Sequence, residues 1–191
     1  MENTITSPAE ELATKAMELC LSCGLCCHGV LHSHAGLDPD EVEFALSMQL
    51  PVVQKGYEYD AFSLPCPRFD EKQYKCSIFP DRPRVCGAYA CDLLKQLREG
   101  ALEFDECMET VRQTQALIES IYRYLGGRDD SVQLWDQVRR FAVKQTEEHG
   151  LTAFHHDHAK LLLDVKRLAL LCGRYEAKSF EPWTHREVMS S

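Results

Sequence analysis

The densest cysteine cluster of the chain lies in the stretch LCLSCGLCCHG, residues 19–29, and it limits how the surrounding chain can fold. The cluster holds four thiols within eight positions: Cys20, Cys23, Cys26 and Cys27. The first three repeat the C-x2-C-x2-C spacing of iron–sulfur ligand loops, and each C-x2-C step lets two thiolates converge from one tight turn. Gly24 supplies the backbone freedom that such a turn needs. The cluster therefore predicts a loop that presents thiolates to a metal.

The composition favours a folded, acidic protein. With 191 residues, of which 45% are apolar, the chain can bury the core of one domain, or of one domain with a small appended module. Its formal charge of −9 disfavours a phosphate-binding surface, because counterion release needs clustered lysine and arginine. No basic segment followed by an apolar one opens the chain, and no later stretch reaches the length of a membrane span. We therefore expect a cytoplasmic protein that binds neither nucleic acid nor membrane.

The expected compartment decides how the ten cysteines are interpreted. The cytosol keeps thiols reduced, so closely spaced cysteines there are more often metal ligands or redox groups than disulfides. Further cysteines lie in a proline-rich stretch after the cluster and bring the candidate ligands to eight. The candidates are Cys20, Cys23, Cys26, Cys27, Cys66, Cys76, Cys86 and Cys91. Eight thiolates suit zinc or an iron–sulfur cluster.

Helix signals flank the opening cluster. Ser7 begins SPAE, a capping box with proline at the first helical position, and predicts a helix that runs towards Leu19. Asp38 begins DPDE and predicts a second helix, which Pro51 stops. Residues 56–86 hold no helical period and several prolines, so we expect extended or turning chain there.

The second half of the chain shows three long amphipathic patterns, each with one apolar stripe. The stripes comprise Cys107, Val111, Ile118, Ile121 and Leu125; Val132, Trp135, Val138 and Ala142; and Leu161, Val165, Leu168 and Cys172. Cys107 and Cys172 lie on these stripes, so we assign them to core packing. The sequence thus predicts a mainly α fold: an irregular cysteine-rich metal-binding region, residues 1–91, followed by amphipathic helices, residues 92–191, that pack on it and share its core.

The combined cysteine pattern resembles a known family. The opening CxxCxxCC, followed by PCPRF, KCSIFPDRPRVC and YAC, is similar to the YkgJ-type cysteine-cluster family of zinc- or iron-chelating domains. The resemblance covers about residues 20–91 and implies metal binding in a bacterial cytosolic protein. It carries over as ligands Cys20, Cys23, Cys26, Cys27, Cys66, Cys76 and Cys86. Flagellin lysine-N-methylases contain a similar cluster, so the resemblance also raises methyl transfer to a protein lysine.

The sequence leaves open which of the eight thiols share a metal centre. Neighbouring side chains of an extended segment point to opposite faces, so Cys26 and Cys27 are hard to aim at one small ion. They could serve two centres. Eight thiolates would fill two tetrahedral sites of four sulfurs, or complete one iron–sulfur cluster with thiols left for a second metal.

Five histidines are secondary candidates for metal ligation: His28, His32, His34, His155 and His158. A neutral imidazole binds zinc or iron well. For the first three we expect a solvated loop, because no partner has a fixed second-site spacing to them. For the last two we expect a helix start, where Asp157 suits the positive end of the helix dipole.

These observations lead to metal binding as the expected function, with an iron–sulfur redox or accessory role placed ahead of a structural zinc knuckle. A knuckle would act as a folding device, since ligation stabilises short irregular chain. Group transfer on a protein substrate is the enzymatic alternative, and whether the protein is an enzyme stays open. A protein partner is compatible with each of these functions.

Serine at Cys20, Cys23 or Cys26 should remove metal, because a hydroxyl is a hard and poorly ionised donor compared with a thiolate. Alanine at Cys107 or Cys172 should leave the metal in place and lower the free energy of unfolding by only about 1–2 kcal/mol. Metal-to-chain ratios measured for the five variants check both statements. Full occupancy in the serine variants would contradict the assigned ligands, and metal loss in an alanine variant would make that residue a ligand.

Overall fold

The computed structural model describes residues 7–53, 60–70, 72–73 and 75–173. Over these ranges the chain forms eight α-helices, one 3-10 turn and five short strands. The helices are α1 (Pro8–Cys23), α2 (Val42–Ser47), α3 (Arg84–Ala88), α4 (Asp92–Arg98), α5 (Phe104–Tyr124), α6 (Leu134–His149), α7 (Leu151–Asp157) and α8 (Ala159–Cys172). The strands are β1 (His34–Gly36), β2 (Val52–Val53), β3 (Ala61–Ser63), β4 (Phe69–Asp70) and β5 (Lys75–Cys76). The predicted mainly α fold is confirmed.

Helix α1 begins as its sequence predicts and ends later. The Ser7 side chain accepts a hydrogen bond from the backbone N–H of Glu10, whose carboxylate accepts one from the backbone N–H of Ser7. The helix continues past the predicted end at Leu19 to Cys23, about one further turn. It stops at Gly24, which takes the left-handed conformation (φ 67°) that favours glycine after a helix. The first thiols of the cluster therefore lie on a helix rather than after one.

Small β elements occupy the predicted irregular region. Strand β3 lies between β1 and β2, antiparallel to both, with Ala35 opposite Phe62 and Val52 also opposite Phe62. Strands β4 and β5 form a separate antiparallel pair. The DPDE signal gives a 3-10 turn, Pro39–Glu41, that leads into α2. Cys86 departs from the prediction of extended or turning chain, because it lies on the short helix α3 that follows Pro83.

The amphipathic patterns of the second half form α5, α6 and α8, with the short helix α7 between the last two. Helix α5 contacts α1, α4 and α8. No helix in the described ranges combines the length and the apolar character needed to cross a bilayer.

Two apolar cores result from this packing. The main core joins α1, α4, α5, α6 and α8, and it contains Cys107 and Cys172, each 0% exposed, as the stripes predict. The second core is smaller: Leu37, Ala45, Leu50, Phe62 and Leu64. The main core draws residues from both sides of residue 91, while the boundary between 1–91 and 92–191 stays a prediction.

A buried carboxylate ties α8 to α5. Asp164 is 7% exposed and accepts hydrogen bonds from Ser120 Oγ (2.8 Å) and Lys160 Nζ (2.6 Å). Burial raises the pKa of Asp164, but the hydrogen bonds from Lys160 and Ser120 outweigh burial and hold that pKa below its ordinary value. The charged carboxylate therefore stabilises the fold at neutral pH.

Asp164→Asn should lower the free energy of unfolding by about 1–3 kcal/mol at neutral pH, because it weakens hydrogen bonds to a charged acceptor. A carboxylate whose pKa is lowered by folding stabilises the fold at pH values above its unfolded-state pKa. That stabilisation is lost as the pH falls through the folded-state pKa. The difference in the free energy of unfolding between variant and parent should therefore become smaller in acid. Urea unfolding at several pH values measures this difference. Glu119→Gln, an exposed acid on α5, is the control and should change stability by less than about 0.5 kcal/mol.

Candidate metal centre

One cavity of about 240 Å³ brings together all the predicted ligands. The cysteines that line it are Cys20, Cys23, Cys26, Cys27, Cys66, Cys76, Cys86 and Cys91. They come from α1, the turn after it, the chain before β4, strand β5, helix α3 and the start of α4. Residues 71 positions apart in the sequence thus face one space. Cys107 and Cys172 do not line it.

The turn after α1 directs the first four thiols. Cys20 and Cys23 are three residues apart on the last turn of α1 and share a face. After Gly24 the chain coils back, with hydrogen bonds from His28 N to Gly24 O (2.9 Å) and from Gly29 N to Cys26 O (3.0 Å). Cys26 and Cys27 therefore lie in a helix-like turn rather than an extended segment, and their side chains still point in different directions.

Backbone pairing places the next two thiols beside this turn. The Cys66 N–H donates to the Cys27 carbonyl (2.8 Å). Phe69 on β4 pairs with Cys76 on β5, and the N–H of Ser77 donates to the Arg68 carbonyl (2.8 Å). The short hairpin thus carries Cys76 to the side of the cavity where Cys66 already lies.

Two arginines organise the segment that holds Cys86. Arg84 forms ion pairs with Asp38, at 2.8 Å, and with Asp40. These contacts attach the start of α3 to the 3-10 turn. The Arg82 guanidinium lies over the Phe79 ring, 4.0 Å from its centroid, and lines the cavity. It is the one permanently charged side chain among the described lining residues. Cys91 enters from the other side, as the N-cap of α4.

Burial makes these thiols hard to ionise. It raises the pKa of Cys86 to about 12, and neighbouring thiols at Cys66 and Cys76 add to the effect. Burial also raises the pKa of Cys26 and Cys27 above the ordinary thiol value. Cys26, Cys27 and Cys86 are therefore protonated at neutral pH without a metal, and a metal must displace those protons to bind.

The thiols surround the cavity and do not converge on a single point. In 7–53, 60–70, 72–73 and 75–173, no three His, Cys, Asp or Glu side chains are placed to hold one metal ion. The cavity of about 240 Å³ has room for more than one water molecule. The space exceeds that of one bare ion.

The donor set fits the metals expected from the sequence. Thiolates are soft ligands that bind zinc and iron–sulfur clusters. The other described lining residues are mainly apolar, among them Leu25, Phe62 and Leu94. Such a wall would limit the access of water to a bound centre.

The candidate histidines of the first half lie in or beside the cavity. His32 and His34 line the cavity; the His32 ring packs edge-on against Tyr89 and His34 Nδ1 lies 2.8 Å from Ser33 Oγ. His28 is 6% exposed beside Phe69, and burial lowers its pKa to about 4.

The histidines of the second half lie outside the cavity. His155 is exposed on α7. His158 follows α7 and contacts Tyr124, with its Nδ1 2.7 Å from the Tyr124 hydroxyl oxygen. Its ring also packs edge-on against Phe141. These contacts give His158 a place in helix packing.

Sequence reasoning missed two residues that position the cluster. Gln115 on α5 donates from Nε2 to the carbonyl of Ser22 (2.7 Å) at the end of α1. The Phe69 ring lies so close to Gly24 that a Cβ there would come within 2.8 Å of Phe69 Cε1. Both contacts join distant parts of the chain, so no local pattern could have revealed them.

A family model matches more than half of the chain. The family model CxxCxxCC, described as "Putative zinc- or iron-chelating domain", matches residues 19–124. The matched range contains all eight cysteines of the cavity. A search of curated proteins and a search of solved structures each found no match.

Gly24→Ala should weaken metal retention and lower the melting temperature. Alanine would strain the left-handed backbone at residue 24 by about 1–2 kcal/mol, and its Cβ would also collide with the Phe69 ring. Gly100→Ala is the matched control, because Gly100 has φ +70° and no atom within 4 Å of an added Cβ. Thermal unfolding and metal-to-chain ratios are measured for both variants.

The control isolates the collision from the backbone strain. Gly100→Ala should keep its metal, and adding Phe69→Leu to Gly24→Ala should restore part of the lost metal by removing the ring atoms. Equal losses in the two alanine variants would contradict the importance of the contact between Gly24 and Phe69.

Proposed function

Because this chain belongs to the CxxCxxCC family of zinc- or iron-chelating domains, we propose that it binds its metal through the thiolates of the eight-cysteine cavity, as an iron–sulfur protein with a redox or accessory role. The observation that carries the proposal is the cavity itself. Eight cysteines from six separate segments line one space of about 240 Å³. Isolated buried thiols pack like small apolar side chains and have no need to meet.

Three features support an iron–sulfur centre. The C-x2-C-x2-C run, whose spacing is that of iron–sulfur ligand loops, forms one wall of the cavity. The cavity has more room than a single ion requires. Cys20 is solvent-exposed, so a centre held by this wall would lie near the surface. Exposure and net charge are among the properties that set the potential of such a cluster.

The exposed Cys20 thiol also indicates where a protein partner would dock. An accessory redox protein must bring its centre close to the molecule with which it exchanges electrons. Cys20 lies on the last turn of α1, where a docking protein could approach the cavity wall. We place a protein partner there.

A structural zinc site is the second candidate. Cys66 lies in the chain before β4, Cys76 on the two-residue strand β5 and Cys86 on the five-residue helix α3. Cys66 and Cys86 pack against the smaller core. Elements this short have little stability alone, and zinc ligation would supply it. Four thiolates complete the tetrahedral shell of a structural zinc ion.

Ligation by eight cysteines bears on the cellular compartment. Thiolate ligation requires that they stay reduced, and the cytosol provides that condition. The cytoplasmic location is accordingly part of the proposal.

Protein purified without oxygen should be brown, with visible absorption that bleaches on reduction, because iron–sulfur clusters have charge-transfer transitions. Elemental analysis should find iron, and acid-labile sulfide should accompany it. Colourless protein with zinc and no labile sulfide would contradict the iron–sulfur assignment and favour the structural zinc site. Protein that retains neither metal would contradict thiolate metal binding altogether.

A further inference from the structure

The adjacent thiols Cys26 and Cys27 belong to different walls of the cavity. Cys26 packs against the main core of helices. The Cys27 backbone carbonyl instead accepts the hydrogen bond from Cys66, which packs against the second core. Two consecutive residues of this turn thus contact segments of different cores, and the chain returns to the main core at Val30 and Leu31.

Three further cysteines share the surroundings of Cys26. Cys23 and Cys91 pack with it against the main core. Helix α1, which carries Cys20 and Cys23, contacts α4, whose N-cap is Cys91. Cys20 precedes Cys23 by one turn and shares its face of α1. We call Cys20, Cys23, Cys26 and Cys91 the helix-side set.

The remaining cysteines share the surroundings of Cys27. Cys66 and Cys86 both pack against the second core. Cys76 reaches the same side through the pairing of β5 with β4. We call Cys27, Cys66, Cys76 and Cys86 the sheet-side set.

We infer that the cavity holds two metal centres, one ligated by the helix-side set and the other by the sheet-side set. This inference rests on the proposed binding of metal by thiolates and adds how the eight thiols are divided between two centres. Each set has four thiols, the number that completes a tetrahedral zinc site or an iron–sulfur cluster. No three His, Cys, Asp or Glu side chains in the described residues are yet placed to hold one ion, so the thiols of each set must close on their metal as it binds.

The two centres would be close neighbours. Cys26 and Cys27 are joined by one peptide bond, and α1, which carries Cys20, contacts β5, which carries Cys76. Cys23, Cys26 and Cys91 nevertheless pack against the main core, whereas Cys66 and Cys86 pack against the second, so loss of one centre leaves apolar support for the other in place.

The test compares two double variants that each remove two thiols. Cys26→Ser with Cys91→Ser takes both from the helix-side set, whereas Cys26→Ser with Cys86→Ser takes one from each set. Native mass spectrometry of anaerobically purified full-length protein counts the metal centres per chain by their mass increments. We expect two increments in the parent, one in the first variant and none in the second. Cys107→Ala is the control and should keep both.

The outcomes separate this inference from the proposed function. A parent with no metal increment would overturn thiolate metal binding. A parent with one increment, or equal losses in the two double variants, would overturn the partition and leave metal binding intact.

A second measurement on the unaltered protein avoids any folding defect of the variants. A zinc and iron chelator is added in steps, and exposed thiols are alkylated and located by peptide mass spectrometry. We expect the four thiols of one set to become alkylated together before those of the other, with Cys26 and Cys27 in different steps. Parallel alkylation of all eight thiols would overturn the partition.

Discussion

The left-handed turn at Gly24 is the local constraint that connects the two sides of the cavity. It stops α1 directly after Cys23 and coils the chain so that Cys26 and Cys27 point in different directions. The Phe69 ring fills the space where any larger residue would place its Cβ. The hairpin of β4 and β5 is thereby packed onto the end of α1, and its thiol at Cys76 reaches the cavity. Helix termination and hairpin docking thus depend on one position.

The cavity joins two parts with unequal apolar support. Long helices with buried stripes form one wall, and their packing does not need a metal. The other wall consists of very short elements around a small core, held in part by the ion pairs of Arg84. Exposed ion pairs of this kind contribute little to stability. A metal bound by the sheet-side cysteines would therefore contribute most to the stability of the wall that has the least apolar support.

Burial of the thiols links metal binding to protons. In the metal-free chain burial raises the pKa of Cys26, Cys27 and Cys86, which favours the neutral thiol. A bound cation reverses that preference because it stabilises the thiolate directly. The same low-dielectric surroundings that discourage ionisation without a metal thus strengthen the attraction between thiolate and metal when it is present.

The sequence by itself determined the mainly α fold, the Ser7 cap, the core positions of Cys107 and Cys172, and the eight candidate ligands, because caps, apolar stripes and C-x2-C spacing are local patterns. It placed the end of α1 a turn too early and Cys86 outside a helix. Only the tertiary structure brought the eight cysteines to one cavity and distributed them between two cores. That distribution depends on contacts between distant segments, such as Cys66 with Cys27 and Phe69 with Gly24, which leave no periodic signal in the chain.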